Sequence, residues 1–315
     1  MLELNNTILK SQMALMAMKG TSVIYPNQTI AGQMILRKFY EHKDLLLTLA
    51  IGLTQSGKTG AMYSCIREFT NVELTPVPID NIFIITGLSS CDWLEQTRSR
   101  IPECIQKNVY HRPQIKTKFR DALQGKQNIL ILIDEVQVAC GTKQSIATEF
   151  SSLNLLDIDF LLDNDIKIVE FSATPNGTII DSKKWDSHAK TITLNPGPGY
   201  VGCKEFQSQG RLRECKDLSG PFGIEAIKEI HSCISEKFLT PKYHFIRTKA
   251  ATAQEDIIRT FLQVFGDTNI NYMKYDMKFD SNIDDILKTQ PAKHTFIFLK
   301  ELARCAKTFT KTHIG

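Results

Sequence analysis

The chain has 315 residues, of which 42% are hydrophobic and 23% charged, and its formal net charge is +4. This composition excludes a collagen-like, low-complexity or disordered chain, and the length leaves room for two domains. The mild positive charge permits a nucleic-acid partner without requiring one. The eight cysteines form no C-x-x-C pair, which favours free thiols and an intracellular compartment. Because no apolar stretch reaches the roughly 20 residues of a membrane span, we expect no membrane partner.

Short apolar runs alternate with helical patterns over the first two thirds of the chain. This alternation is typical of an α/β fold with a parallel sheet. Helices cover both faces of such a sheet, so its strands can be buried without alternating in polarity. The predicted buried strands are 45–51, 82–86, 128–133, 167–171 and 190–194, and the predicted helices are 59–70, 92–100, 144–153 and 155–163.

Residues 196–222 are rich in glycine and proline, which predicts a connector between two domains, 1–195 and 223–315. From 223 the α/β pattern restarts. Three strands are fewer than the average sheet contains, so we interpret 223–315 as an incomplete second domain. Its predicted strands are 242–247, 270–275 and 295–299, and its predicted helices are 223–237, 253–265 and 283–289.

A complete G-x-x-x-x-G-K-[ST] motif follows the first predicted strand. A strand, a glycine-rich turn and a helix N-terminus in this order predict a phosphate-binding loop for a nucleoside triphosphate. Lys58 would reach the β- and γ-phosphate oxygens, and the Thr59 hydroxyl would bind Mg²⁺. The structural alternative is a plain glycine turn between a core strand and a helix. The candidate nucleotide-binding residues of the loop are Gly52, Thr54, Gln55, Ser56, Gly57, Lys58 and Thr59.

Two acidic residues, Asp134 and Glu135, stand directly after the predicted strand 128–133. The carboxyl end of a strand in a parallel sheet is where such folds bind ligands, so this pair is expected beside the phosphate loop. Asp134 would hold Mg²⁺, and Glu135 would accept a proton from the attacking water. Ordinary surface-turn chemistry is the alternative, and the phosphate loop makes the catalytic interpretation the stronger one.

Three motifs in this order, G-x-x-x-x-G-K-T at 52–59, D-E-x-Q at 134–137 and S-A-T-P at 172–175, resemble helicase superfamily 2. The similarity is to DEAD/DEAH-like ATPases, in a D-E-x-Q variant, and covers at least residues 25–175. It implies two RecA-like domains. It also implies that Ser172 and Thr174 couple the γ-phosphate to the second domain through Gln137. Divergence of this kind would suit a large DNA virus or a mobile element.

The same resemblance assigns further residues. Tyr25-Pro26-Asn27-Gln28 looks like the adenine-recognising segment of the family, with the Gln28 amide reading the base. Eight basic residues between 98 and 126 form either a track for a nucleic-acid backbone or a solvated face. The residues expected to contact nucleic acid are Ser89, Ser90, Arg98, Lys300 and Arg304. Trp93 either stacks on a base or packs in the core.

The resemblance implies a nucleic-acid-dependent ATPase that uses ATP and Mg²⁺ to unwind or translocate on DNA or RNA. The D-E-x-Q form and the region around Arg304 depart from the best-known RNA-helicase patterns, which favours DNA. We expect a monomer in the cytoplasm, the nucleus or a viral replication compartment, which could work with a nuclease or another partner protein. The arginine-finger motif of the family is missing from these 315 residues, which predicts ATP binding with slow hydrolysis. The alternative is a phosphate-loop ATPase or ATP-binding scaffold that acts on a protein without unwinding.

Overall fold

The fold is described from a computed structural model. It describes residues 2–89, 91–135, 145–174, 179, 183–212, 214–248, 251–276, 278–300 and 309–315. The contacts divide the chain into two compact units, Met1–Glu205 and Phe206–Gly315. The glycine- and proline-rich residues 196–205 therefore belong to the first unit. None of the helices in the described ranges combines the length and the apolar composition of a membrane span.

A six-stranded sheet, parallel throughout, forms the centre of the first unit, with the strand order β3-β2-β4-β5-β1-β6. This confirms the predicted α/β class. Four strands lie within two residues of their predicted bounds, and the fifth, 82–86, is identical to its prediction. The strands are β1 Leu47–Gly52, β2 Ile82–Thr86, β3 Val109–His111, β4 Ile129–Asp134, β5 Ile166–Ser172 and β6 Ala189–Leu194.

Helices connect these strands and cover the sheet. The phosphate-loop helix begins one residue before its prediction, whereas the helix at Pro26–Glu41 was not predicted. The segment Ile115–Phe119 is a π-helix between two short α-helices. The α-helices are α1 Leu2–Met18, α2 Pro26–Glu41, α3 Lys58–Thr70, α4 Cys91–Ser99, α5 Glu103–Gln106, α6 Arg112–Gln114, α7 Arg120–Leu123, α8 Ser145–Ser152, α9 Ile158–Asp163 and α10 Cys203–Ser208.

Two hydrophobic clusters, one on each face of the sheet, explain why the central strands are apolar without alternation. In β2, for example, Ile82 and Ile84 pack into one cluster, and Phe83 and Ile85 pack into the other. The expectation of a fully buried strand was wrong for β6, where Lys190 and two threonines are exposed. Among the described strands it pairs only with β1, at the edge of the sheet.

The second unit contains a three-stranded parallel sheet with the order β7-β9-β8. Isoleucine and phenylalanine side chains form the core on one face, where the ring centroids of Phe261 and Phe296 lie 4.9 Å apart. The predicted strands and helices all occur with small shifts at their ends. The elements are α11 Gly223–Lys237, β7 Tyr243–Arg247, α12 Ala251–Phe265, β8 Ile270–Tyr275, α13 Ile283–Leu287 and β9 His294–Leu299.

A pair of histidines joins β7 and β9 in this unit. The backbone N–H of Lys242 donates to Nδ1 of His294, so the short contact of 2.9 Å from Nε2 of His244 to the same Nδ1 requires His244 to be the donor. His244 is 7% exposed, and its ring stacks on Phe296 at 5.2 Å. Burial, with a contribution from His294, lowers the pKa of His244 to about 4. The folded chain therefore holds a neutral imidazole at this position.

We predict that acid destabilises the protein through His244. Between the unfolded pKa of about 6.5 and the folded pKa of about 4, only the unfolded chain takes up this proton. The contribution of this group to the free energy of unfolding is therefore fully present above pH 6.5. As the pH falls from 6.5 towards 4, this contribution decreases by up to about 1.4 kcal/mol per pH unit. His244→Phe should flatten this dependence in denaturant melts recorded across the range. The surface variant His42→Gln should retain it, and an unchanged slope in His244→Phe would refute the assignment.

Candidate functional site

The predicted phosphate loop connects β1, which ends at Gly52, to α3, which begins at Lys58. Gly57 has the left-handed backbone conformation, φ 92°, that a residue with a Cβ adopts at a cost. It is also the N-cap of α3, and no side chain caps this helix end. An uncapped helix N-terminus leaves backbone N–H groups and the positive end of the helix dipole for an anion.

Close packing around the glycines shapes this loop. A Cβ on Gly52 would lie 3.0 Å from Cγ of Lys58, and a Cβ on Gly60 would lie 2.2 Å from the amide carbon of Gln28. Lys58 is only 9% exposed, and its ammonium group donates to the carbonyl oxygen of Leu53 at 3.4 Å. The ammonium group of Lys58 therefore lies at the loop in which it is predicted to bind phosphate.

The sheet register brings the other predicted catalytic residues to the same edge. Asp134 at the end of β4 pairs with Thr86 on β2 and with Phe171 on β5, and Ser172 on β5 pairs with Ile51 on β1. One strand, β5, separates the strand of Asp134 from the strand that leads into the phosphate loop. At about 4.8 Å per strand, the two strands lie roughly 10 Å apart. A metal-bound phosphate can bridge such a distance.

Asp134 is a buried carboxylate, 9% exposed, and its Oδ2 accepts a hydrogen bond of 2.9 Å from the indole N–H of Trp93. The pKa of Asp134 is raised to about 6, chiefly by burial and to a smaller extent by the nearby Glu135. The Trp93 hydrogen bond and the charge of Lys58 oppose this rise. A bound cation would favour the ionised form in the same way. Trp93 itself packs in the core, which was one of the two roles predicted for it.

Glu135 follows Asp134 in the left-handed region, with φ 51°. A non-glycine residue in this conformation costs roughly 1–3 kcal/mol, and such residues concentrate at functional sites. The backbone turns sharply here, directly after β4. Glu135 is only partly buried, so it stands beside the buried carboxylate with access to solvent. This placement suits the predicted proton acceptor.

Ser172 and Thr174 lie at the end of β5, between the loop and Asp134. The Ser172 hydroxyl is buried and accepts a hydrogen bond of 3.1 Å from the backbone N–H of Thr174, whereas the Thr174 side chain is exposed. This is a strand-end turn formed by a serine side chain. The coupling role of the two residues stays a prediction, and Gln137 lies outside the described residues.

Gln28 contacts the loop through its amide. Nε2 donates to the carbonyl oxygen of Gly57 at 3.1 Å, and Oε1 accepts from the backbone N–H of Tyr25 at 2.9 Å. Recognition of adenine by Gln28 remains a prediction. It would require the amide to replace these two hydrogen bonds with hydrogen bonds to the base. Tyr25 is 59% exposed, so its ring does not belong to the core. The structure therefore ties the start of α2 to the start of α3.

The segment after β6 also reaches the loop, which the sequence analysis missed. The hydroxyl of Tyr200 donates to the carbonyl oxygen of Thr54 at 2.7 Å. The amide nitrogen of Asn27 donates to the carbonyl oxygen of Asn195 at 3.1 Å. The only sequence signal was an aromatic residue within a glycine- and proline-rich run. Residues 195–200 thus hold both the phosphate loop and the first turn of α2.

The expected nucleic-acid contacts are spread over both units. Ser89 is exposed in the loop after β2, but the Arg98 guanidinium donates to the carbonyl oxygen of Val109 at 3.1 Å, which is a structural contact. Lys300 follows β9 in the second unit. In the basic track, Lys107 pairs with an aspartate at 2.7 Å and Arg120 with a glutamate at 3.0 Å. The two remaining candidates outside the described ranges are Ser90 and Arg304.

The residues at this edge fit a magnesium nucleotide. Among the described residues, no group of three or more histidine, cysteine or acidic side chains could hold a metal. Mg²⁺ needs no such group, because it is bound by one or two carboxylates together with substrate phosphates and water. Asp134 and the hydroxyl of Thr59 provide oxygen ligands of this kind. The uncapped start of α3 and its glycine-lined loop fit the phosphates.

Comparisons with known proteins give distant similarities. No protein-family model matches the chain. An uncharacterized protein of Acanthamoeba polyphaga mimivirus is 24% identical over 299 residues, in an alignment that covers 89% of this chain and 73% of that protein. The structure of the Escherichia coli DEAH/RHA helicase HrpB is 12% identical, with a TM-score of 0.47 over 85% of this chain and 34% of HrpB. A DEAD box protein from Methanococcus jannaschii is 14% identical, with a TM-score of 0.39 over 85% of this chain and 73% of that chain.

The chain therefore spans about a third of the length of HrpB. Both TM-scores lie below 0.5, so the fold is assigned from the strand order and register of the chain itself.

We predict that Gly60→Ala destabilises the protein although alanine normally stabilises a helix interior by roughly 0.5–1 kcal/mol. The new methyl group would displace the Gln28 amide and break its two backbone hydrogen bonds, at a net cost of roughly 1–3 kcal/mol. In a Gln28→Ala background the same substitution should become neutral or stabilising. Urea denaturation of the four proteins in this double-mutant cycle measures the difference. Equal effects of Gly60→Ala in both backgrounds would contradict the packing.

Proposed function

We propose that this chain is the ATP-binding core of a nucleic-acid-dependent ATPase of the helicase superfamily 2 type. One observation carries the proposal: Lys58 of the phosphate loop and the buried Asp134 lie at the same edge of one parallel sheet, with one strand between them. A lysine at a helix N-terminus and a buried carboxylate at this spacing are the two parts that phosphoryl transfer from a magnesium nucleotide needs. The motif order supports the assignment to this superfamily.

Each residue at the edge has a role in this proposal. Magnesium ATP, when bound, supplies the phosphoanhydride bond that is hydrolysed and a cation that offsets phosphate charge. Lys58 and the backbone N–H groups at the start of α3 bind the phosphates, and Thr59 and Asp134 hold the cation. Glu135 accepts the proton of the attacking water. Gln28 and Tyr200 position the loop through their bonds to Gly57 and Thr54.

Nucleic acid is the partner we propose, with DNA favoured over RNA. Exposed lysines of the π-helix, Lys116 and Lys118, and the exposed Ser89 support a contact surface for a phosphate backbone. The ion pairs of Lys107 and Arg120 reduce the positive charge available to such a backbone. The alternative is an ATPase that acts on a protein partner. Stimulation of ATP hydrolysis by single-stranded DNA, by RNA or by neither separates these functions.

We predict that Lys58→Ala weakens the binding of magnesium ATP roughly 10- to 100-fold, because charge-assisted hydrogen bonds to phosphate are lost. Isothermal titration calorimetry measures the dissociation constant, with Lys43→Ala as a matched exposed lysine. Undiminished binding in Lys58→Ala would refute the proposed nucleotide site. Binding of ATP by neither the variant nor the unaltered chain would do the same.

We predict that Glu135→Gln retains ATP but loses hydrolysis by roughly 100-fold or more, because an amide cannot accept the proton of the attacking water. Phosphate release in single-turnover experiments measures the chemical step, and calorimetry measures the binding. The exposed Glu73→Gln, which makes the same chemical change elsewhere, should hydrolyse ATP at the rate of the unaltered chain. Equal hydrolysis by Glu135→Gln would refute its role as general base.

A further inference from the structure

The Gln28 side chain is wedged against the phosphate loop. It is 7% exposed, Nε2 donates to the carbonyl oxygen of Gly57, and Oε1 accepts from the backbone N–H of Tyr25. Two glycines make room for this amide, since a Cβ on Gly57 would lie 2.4 Å from Nε2 and a Cβ on Gly60 would lie 2.2 Å from the amide carbon. Turning the amide towards a base would leave two backbone groups unpaired. Gln28 therefore has the geometry of a residue that holds the loop.

The second amide of the segment 25–28 is also bonded to the protein. Nδ2 of Asn27 donates to the carbonyl oxygen of Asn195 at 3.1 Å, and a Cβ on Gly197 would lie 3.2 Å from its Oδ1. Strong discrimination between ligands of similar size depends on hydrogen bonds that only the right ligand completes. The two amides in the segment expected to recognise adenine hold backbone groups instead, which leaves little basis for such discrimination.

The strand order indicates on which side of the loop a nucleoside would lie. Asp134 ends β4, which lies on one side of β1 with β5 between them, whereas β6 lies on the other side of β1. Magnesium bridges the β- and γ-phosphates, so the γ-phosphate end of a bound nucleotide would point towards Asp134. The nucleoside end would then point towards the segment that follows β6, which includes residues 195–200.

Apolar side chains are exposed around this side of the loop. Tyr25 is 59% exposed and Leu53 is 54% exposed, and the Tyr200 ring is half-buried. Hydrogen bonds connect these residues to the loop, because the Tyr200 hydroxyl donates to the carbonyl oxygen of Thr54 at 2.7 Å and the Tyr25 N–H donates to the Gln28 amide. Exposed apolar groups beside a binding loop indicate a surface that a ligand covers. Aromatic side chains can stack on any base, because every base has a π-face.

We propose that the site takes nucleoside triphosphates without selecting the base, with Gln28 as a positioning residue of the phosphate loop and the nucleoside packed on Tyr25, Leu53 and Tyr200. This inference rests on the proposed function, and it names the substrate class of the same site. Lys58 and the N–H groups at the start of α3 contribute affinity that all nucleotides share. The apolar surface adds a contribution that differs little between bases.

The first test compares ligands in the Glu135→Gln background, in which hydrolysis is blocked. Calorimetry measures the dissociation constants of the magnesium complexes of ATP, GTP, CTP, UTP and inorganic tripolyphosphate. We expect the four nucleotides to bind within roughly 10-fold of one another, a difference that unequal stacking can produce. A preference for ATP of more than 10-fold over each of the other three would overturn the inference and leave the proposed function standing.

Gln28→Ala separates a residue that holds the loop from one that reads the base. Without the amide, the loop loses its support, so all four nucleotides and tripolyphosphate should bind more weakly by a similar factor. A loss confined to ATP would show recognition of adenine and contradict the inference. Gln33→Ala is the matched control, because Gln33 is an exposed glutamine of the same helix, and it should change none of the affinities.

Two variants of Tyr200 test the contact with the nucleoside independently of Gln28. Tyr200→Ala should weaken the nucleotides by roughly 5- to 150-fold relative to tripolyphosphate, the range of a lost stacking contact. Tyr200→Phe loses only the hydrogen bond to Thr54 and should retain the difference between nucleotides and tripolyphosphate. Tyr40→Ala, at an exposed tyrosine of α2, is the control.

The outcomes separate the inference from the proposed function. An equal loss of nucleotide and tripolyphosphate affinity in Tyr200→Ala would remove the nucleoside contact from the proposal while the phosphate site stands. Binding of neither nucleotides nor tripolyphosphate by the Glu135→Gln chain and by the unaltered chain would overturn the proposed function and the inference together.

Discussion

The hydrogen-bonded register of four parallel strands, β2, β4, β5 and β1, determines where the phosphate loop, the acidic pair and Ser172 lie. In a parallel sheet all carboxyl ends meet at one edge, so residues far apart in sequence become neighbours there. A shift of one residue in β4 would turn Asp134 to the other face of the sheet. The phosphate loop, the acidic pair and Ser172 depend on this register alone for their proximity.

A buried carboxylate at that edge is unfavourable unless other groups compensate for lost hydration. The raised pKa of Asp134, about 6, expresses this cost, and the indole N–H of Trp93 and the charge of Lys58 reduce it. A bound cation would compensate the carboxylate further. The hydrogen bond from Trp93 also joins α4 to Asp134 at the end of β4.

Most of the fold could be predicted from local patterns. Apolar runs bounded by turns identified five strands of the first sheet and all three of the second. This works because a parallel strand that is buried on both faces is apolar at nearly every position. β3 was missed because three residues, Val109–His111, form too short a run. The exposure of β6 was missed because a strand's place at the edge of a sheet is set by strand order, which periodicity does not encode. The helix at Pro26–Glu41 was passed over because its first residues were interpreted only as a recognition segment.

The sequence by itself determined the phosphate loop, the acidic pair at Asp134 and Glu135, and their places at strand ends, since each is a short contiguous motif tied to a local strand-to-helix or strand-to-turn geometry. Only the tertiary structure decided which side chains support that site. The contacts of Trp93 with Asp134, of Tyr200 with Thr54 and of Gln28 with Gly57 join elements that are distant in the chain. Such contacts depend on strand order and on how helices pack against the sheet, and no local pattern of residues carries that information.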